Sequence, residues 1–419
     1  MQSTGTDSAV ALPAGLELRP VRPEEQRAYS SAMRRAFGAS FPTDDELAAS
    51  REITEFDRTL AIFDAGDLVA TAGIFSYQMA VPGGMLPCGG VTRVSVRTTH
   101  RRQGLLRAMM ARQLHDMHER GEPLAALYAS EAPIYGRFGY GLATYQAEIE
   151  LNPALVSISK PPTRGRVVML DVPTAVSAFS HVWQQVHPSQ PGMVGLDQRW
   201  WRNLLSDLEI DRHGFSPHYR AVYQADGEPS GFALYRMKLD WEASVAAGWL
   251  RVEALIAATP EAYAALWSFL LAVDLVTRVS AEMRPIDEPL RFLLNDSRQP
   301  KTRIEDGIWL RLVNVERALA GRRYSMEGAV VLRVLDEFCP WNDGSFELQT
   351  GRDGAQCRRS QAAADLELSA ADLAATYLGG NRFRALHAAG RVRELHPGAL
   401  ARADSMFGTD RAPWCPSHF

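Results

Sequence analysis

The chain has 419 residues, 46% of them hydrophobic and 22% charged, with a net charge of −4. That is an ordinary globular composition with material for several cored domains, and no lysine-rich run or 18-residue apolar stretch points to nucleic acid or a membrane span. Four scattered cysteines (Cys88, Cys339, Cys357, Cys415) form neither a disulfide framework nor a metal-ligand pair, which fits a reducing cytosol.

Residues 1–12 are small and polar, lack the pattern of a signal peptide and are expected to be a disordered tail. Leu16–Arg19 opens a first strand, and Pro23, Glu24 and Glu25 start a helix reaching about Phe37. The loop Phe37–Phe41 carries two aromatics that either plug the core or line a pocket. Thr59–Phe63 and Leu68–Met79 read as strands joined at Asp64-Ala-Gly-Asp67, and Pro82-Gly83-Gly84 is a second turn. Val91–Val96 is a strand expected to place Val91, Arg93 and Ser95 on one face and Thr92, Val94 and Val96 on the other. A basic turn, Arg97 to Gly104, follows. A helix with apolar residues at three- and four-residue spacing then runs to about Gly121.

Strand, basic glycine turn and helix start make a phosphate cradle. The first helical N–H groups are unpaired, the helix N-terminus is partially positive, and Arg101 and Arg102 add charge. The cradle lacks the Gly-Lys-Ser/Thr ending of a nucleoside-triphosphate loop and the Gly-x-Gly-x-x-Gly of a dinucleotide site. Val94-x-Val96 followed by Arg101-x-x-Gly104-x-Leu106 resembles the pyrophosphate-binding motif of the GNAT N-acetyltransferases.

Leu124–Ala129 is a buried strand, and Ser130 caps a short helix interrupted by Gly136, Gly139 and Gly141. A linker around Ser159–Gly165 separates a second segment that repeats the layout: strand Arg166–Leu170, helix Pro173–Val186, hairpin Tyr219–Gln224 and Ser230–Leu239, strand Leu250–Ile256, helix from Thr259. This copy has no Arg-x-x-Gly and reads as degenerate. From Gly307 the character becomes α+β: strand Ile308–Val313, short helix Val315–Ala320, strands Ala329–Leu335, Ser345–Gln349 and Ala364–Leu368, and a Ser369-capped helix to Tyr377. The expected division is 1–158, 159–304 and 305–419.

Thr99-His-Arg-Arg-Gln-Gly-Leu-Leu-Arg-Ala-Met110, the stretch Ala129–Thr144 with its Ile134-Tyr-Gly-Arg-Phe138, Tyr377-Leu-Gly and a terminal phenylalanine together resemble the enhanced intracellular survival (Eis) family of acetyltransferases over essentially the whole chain. The resemblance implies two GNAT-like regions in tandem, the second degenerate, and a sterol-carrier-protein-like C-terminal domain. It also implies a homohexamer that acetylates amines of aminoglycosides or similar polyamines from acetyl-coenzyme A, with no metal. Carried over residue by residue, Tyr135 is the general acid and the α-carboxylate of Phe419 the base. Val94 holds the thioester carbonyl, and Val96, Arg101, Arg102, Gly104 and Leu105 match the pantetheine and pyrophosphate stretch. Phe37, Phe41 and His418 are candidates for the amine pocket.

The chemistry is consistent with these roles. An ammonium must lose a proton before it attacks, and a terminal carboxylate is ionised at neutral pH. The carbonyl oxygen needs an N–H donor and the departing thiolate a proton. Tyr140 and Tyr145 compete with Tyr135 for the last role. Phe37-Gly-Ala-Ser-Phe41 lacks the acid expected of strong aminoglycoside acetylators, with Asp44, Asp45 and Glu46 as nearby substitutes, and His418 stands where another acid would help. His115 and His118 read as an exposed helix face, Trp200-Trp201 as packing, and Glu131 as a helix-start acid. The competing functions are acetylation of protein lysines or N-termini, and a lipid carrier on a vestigial acetyltransferase scaffold.

Overall fold

A computed structural model of the chain describes residues 12–159 and 164–419. Residues 1–11 of the expected tail and 160–163 of the expected linker lie outside the described residues. In the first sheet β1 (Leu16–Arg19), β2 (Thr59–Asp64), β3 (Asp67–Val81) and β4 (Gly84–Val96) are successive antiparallel neighbours, and β5 (Leu124–Tyr128) runs parallel to β4. Helices α1 (Gln26–Ala36) and α3 (Leu105–Glu119) cover opposite faces. The apolar run of β2 serves both. Leu60 and Ile62 pack with Leu105 and Met109 of α3, Ala61 and Phe63 with Tyr29 of α1. Helix α2 (Asp44–Ile53) lies where no helix was expected. Its signal is the capping box Thr43-x-x-Glu46, in which Glu46 N–H donates to Thr43 Oγ1 (3.3 Å) and Thr43 N–H to Glu46 Oε2 (2.6 Å).

Strand β4 begins seven residues before the expected Val91, because Gly84 to Gly90, which reads as loop, pairs with β3 and continues the ladder. Glycine is required there. A Cβ on Gly90 would stand 2.5 Å from the Tyr77 ring and one on Gly89 2.2 Å from Met117 Sδ. The expected alternation also fails. Thr92 faces Gly73 but Ser95 faces Thr71, so β4 carries one extra residue, and Arg93 takes φ +53°. This bulge puts Val91 and Val94, three residues apart, into one cluster with α3.

The second sheet repeats the first. Arg166–Met169, Tyr219–Ala225, Glu228–Lys238 and Gly248–Ala257 are antiparallel neighbours, and Val276–Arg284 lies parallel to the last. Its Gly248–Ala257 strand carries the same one-residue bulge, at Glu253. Each sheet takes its sixth strand from outside its own repeat. Tyr145–Leu151 joins the second sheet, and Ile308–Leu312, read from sequence as part of the third region, pairs with β5 in the first. Ile308, Leu310, Arg311 and Leu312 are all buried, which a strand covered on both faces explains. The third region is a five-stranded sheet with helices Val315–Ala320, Ala370–Tyr377, Phe383–Ala388 and Ala399–Phe407. Ser369 caps the Ala370–Tyr377 helix as expected, accepting from Asp372 N–H at 3.1 Å.

One apolar core runs through all three regions. It joins Tyr77 and Met79 of β3, Phe179, Trp183 and Trp200 of the second, and Leu332, Phe346 and Tyr377 of the third. The β3–β4 hairpin spans them, with Met193 carbonyl accepting from Ala80 N–H (2.8 Å) and Pro82 carbonyl accepting from Arg323 N–H (2.7 Å).

Candidate active site

Strands β4 and β5 pair only from Cys88 to Gly90, opposite Leu124 to Ala126. Beyond the bulge they splay, and a cleft of about 600 Å³ opens between them. It is lined by Val94, Ser95 and Val96 of β4, His100 to Arg102 of the turn, Gly104 to Arg107 of α3, Phe37, and Ser130 to Phe138. Val94 sits at the bulge, outside the paired register of β4 with β3 and with β5, and lines the opening.

The turn presents the start of α3. Gly104, at φ +84°, is the N-cap, and no side chain among the described residues caps this 15-residue helix. By contrast the helices starting at Asp44, Val172, Pro260 and Ala370 are each capped by an oxygen of Thr43, Asp171, Thr259 and Ser369. Arg102 is also left-handed, at φ +63°, and forms no ion pair with a described residue. His100 instead bonds Asp64 (3.1 Å), and Arg97 faces Asp67 (3.4 Å), which pins the turn to the β2–β3 hairpin. Arg107 and Arg137 also line the cleft, so four arginines face one acid, Glu131. Neither was singled out from sequence. Arg107 sits in the first turn of α3, and Arg137 follows Gly136 in the short helical segment.

Tyr135 closes the other side, on the short helix Ala132–Tyr135. Burial pushes its phenol above the usual tyrosine range, Ser130 draws it partly back, and Glu131 adds to the rise. Its sequence competitors are elsewhere. Tyr140 is fully buried behind Tyr135, ring centroids 6.1 Å apart, and Tyr145 donates to Asn381 Oδ1 (3.1 Å). Glu131, not Ser130, occupies the N-cap position.

The structure brings Val94, Val96, Arg101, Arg102, Gly104, Leu105, Tyr135 and Phe37 together along this cleft. Phe41 is not on its lining; it is exposed, with the Arg35 guanidinium 5.6 Å from its ring. His418 and Phe419 lie on the far side of β4 and β5. The chain end crosses the second region, where Trp414 N–H donates to the Pro191 carbonyl (2.8 Å) and Trp414 Nε1 to the Met283 carbonyl (2.6 Å). It then enters the first. Tyr128 Oη donates to the Cys415 carbonyl (3.1 Å), and the Phe419 ring sits 5.1 Å from Tyr77 and 5.3 Å from Tyr128. Phe75, Tyr77, Tyr128 and Trp200 thus form an aromatic wall around the terminus that sequence reading missed, since its members come from two strands and a helix far apart in the chain. The His418 ring packs tilted against Tyr128, centroids 4.2 Å apart, and burial lowers its pKa.

Two of the three substitute acids are paired, and Asp45 is exposed. Asp44 pairs with Arg27, and Glu46 is buried, bonded to Arg34 and the Thr43 cap. His115 is exposed as expected, whereas His118 is half-buried against Trp341 of the third region, ring centroids 4.6 Å apart.

The second repeat lacks the cradle turn among the described residues. Ala258 and Thr259 alone separate strand Gly248–Ala257 from its helix, so the turn that makes the cradle is gone and Thr259 caps the helix start. Past its bulge, Arg284 Nη1 donates to the Leu255 carbonyl (2.6 Å), and Glu288 holds both Arg284 and Tyr263 there.

An amide-bearing thioester with a pyrophosphate fits the first cleft. The free helix start and arginines suit the phosphates, and the unpaired β4 edge suits the amides. The fold and this site define a GNAT-type N-acetyltransferase, an enzyme whose co-substrate is acetyl-coenzyme A. Acetyltransferase (GNAT) domain families match residues 17–143 and 192–312, and a sterol carrier protein domain family matches 315–416. A Streptomyces avermitilis protein called an uncharacterized N-acetyltransferase is 42% identical over 406 residues, 96% of this chain and 99% of its own. N-acetyltransferase Eis of Mycobacterium bovis is 33% identical over 87% of this chain and 90% of its own. The crystal structure of Eis1 from Mycobacterium abscessus superposes with a TM-score of 0.82 at 33% identity, covering 96% of this chain and all of that one. The chain belongs to the Eis family of N-acetyltransferases.

Proposed function

We propose that the enzyme acetylates a primary amine of an aminoglycoside or a similar polyamine, with Tyr135 as general acid and the Phe419 α-carboxylate as base. The observation that carries this reading is one cleft joining an uncapped helix start, four arginines and a buried phenol. Acetyl-coenzyme A supplies an activated acyl group. Arg101, Arg102 and the first amides of α3 would hold its phosphates, with Gly104 giving the close backbone approach. Val96 and Leu105 would flank its pantetheine, and the Val94 N–H would donate to the acyl oxygen. The raised pKa of Tyr135 keeps a proton ready for the leaving sulfur at neutral pH. The Phe419 carboxylate would attract the ammonium and accept its proton, while a neutral His418 would not repel it. Phe37 and Phe41 would border the amine's approach from the loop after α1. A homohexamer in the cytosol accords with the family resemblance.

One observation favours a second reading of the acceptor. Asp44 and Glu46 are committed to arginines, and a protein lysine or N-terminus needs fewer carboxylates than a polycation does. A carrier role is disfavoured by the interior of the third region, where the buried Arg322 guanidinium donates to the Tyr377 and Phe407 carbonyls. The test is thiol release from acetyl-coenzyme A with aminoglycosides, linear polyamines and lysine peptides. Amine-dependent release with the first two supports the proposal, release with peptides alone moves it to protein substrates, and background release with all three removes it.

A further inference from the structure

We propose that Arg311 and Asp336 are positioning residues through which the third region sets Tyr135; this rests on Tyr135 being the acid. Arg311 lies on the sixth strand of the first sheet, and Asp336 follows strand Gly328–Leu335 of the third region. Their side chains are 0% and 1% exposed, and Arg311 Nη2 donates to Asp336 Oδ2 at 2.5 Å. A fully buried pair of this kind is weak as a stabilising device, because desolvation offsets its attraction. Its placement is what matters. The guanidinium lies flat against Gly139, where a Cβ would meet Nη1 at 2.2 Å, and Gly139 is held left-handed at φ +82°. Gly139 N–H donates to the Gly136 carbonyl and Tyr140 N–H to the Tyr135 carbonyl (3.0 and 3.3 Å), so this turn carries Tyr135.

The same turn is also tied to Asp336 through Phe338. Asp336 Oδ1 accepts from the Phe338 and Cys339 N–H groups (3.2 and 2.9 Å), and the Phe338 ring meets Phe138 of the cleft wall edge-on at 5.0 Å. Arg311 Nε and Nη1 and Tyr140 Oη are buried with no hydrogen-bond partner among the described residues, and the ion pair with Asp336 is the one Arg311 makes among them. Moving the pair moves the turn, and a misplacement of about 1 Å costs on the order of a hundredfold in rate.

The experiment is a double-mutant cycle on steady-state thiol release. Asp336→Asn is expected to lower kcat about tenfold or more with KM for acetyl-coenzyme A within about twofold. In a Tyr135→Phe background it should change kcat less than about twofold. An equal loss in both backgrounds, or no loss in the first beside a crippled Tyr135→Phe, overturns the positioning role. A silent Tyr135→Phe overturns the acid assignment instead, and this role with it. Should Asp336→Asn not fold, the apolar pair Arg311→Met with Asp336→Leu removes both charges together. Its folding is checked by circular dichroism; the same fall in kcat is expected, and full kcat in the folded pair overturns the proposal.

Discussion

Gly104 takes φ +84° at the start of α3, and a Cβ there would meet nothing within 4 Å. Substitution by alanine therefore costs backbone strain alone, about 1–2 kcal/mol. Gly104→Ala is expected to lower the melting temperature slightly and to raise KM for acetyl-coenzyme A, read from melts and initial rates. Glu253 is the residue-scale opposite, a half-buried charge at the second bulge. Burial opposes its ionisation, yet the His218 bond at 2.6 Å, the charge of Arg236 and a hydrogen bond from Arg251 hold it at about 2. Its folded pKa lies below its ordinary value of 4.5, so its contribution is present above about pH 4.5 and is lost as pH falls toward 2. Wild type should melt higher than Glu253→Gln at pH 7, with the gap closing by pH 2.5; a gap independent of pH would contradict this. At this scale the cradle was legible because Arg101, Arg102 and Gly104 are contiguous. Arg107 and Arg137 were not, since only the fold turns them into the same cleft.

At the scale of elements, the difference between the two repeats is one turn. Eight residues link β4 to α3, and two link the equivalent strand and helix in the second repeat. That was readable as the missing Arg-x-x-Gly. The bulges were not, because they show only as a change of ladder register between Gly73 and Thr71. Nor was the early start of β4, where glycines chosen for close approach to Tyr77 and Met117 imitate a loop. The terminal segment is an element of the same kind, extended and held by Trp414 and Cys415. Adding two residues after Phe419 is expected to abolish turnover while acetyl-coenzyme A affinity, measured by calorimetry, stays within about twofold.

At the scale of the whole molecule, the regions are interleaved. The sixth strand of the first sheet comes from residues 308–312, and Tyr145–Leu151 leaves for the second sheet. Residues 1–158 expressed alone should fail to fold, since the β5 edge and the Leu124–Leu127 face lose their cover. A cooperative melt of that fragment would contradict this. Sequence periodicity located the 308–312 strand but not its sheet, because pairing partners more than 120 residues apart leave no local pattern.

The central claim is that Tyr135 hands a proton to the leaving sulfur in the first cleft. Its most direct measurement is thiol release by Tyr135→Phe, with acetyl-coenzyme A affinity measured on the same sample. A fall in kcat of about a hundredfold or more, with affinity unchanged, is the predicted result; an unchanged kcat would contradict it.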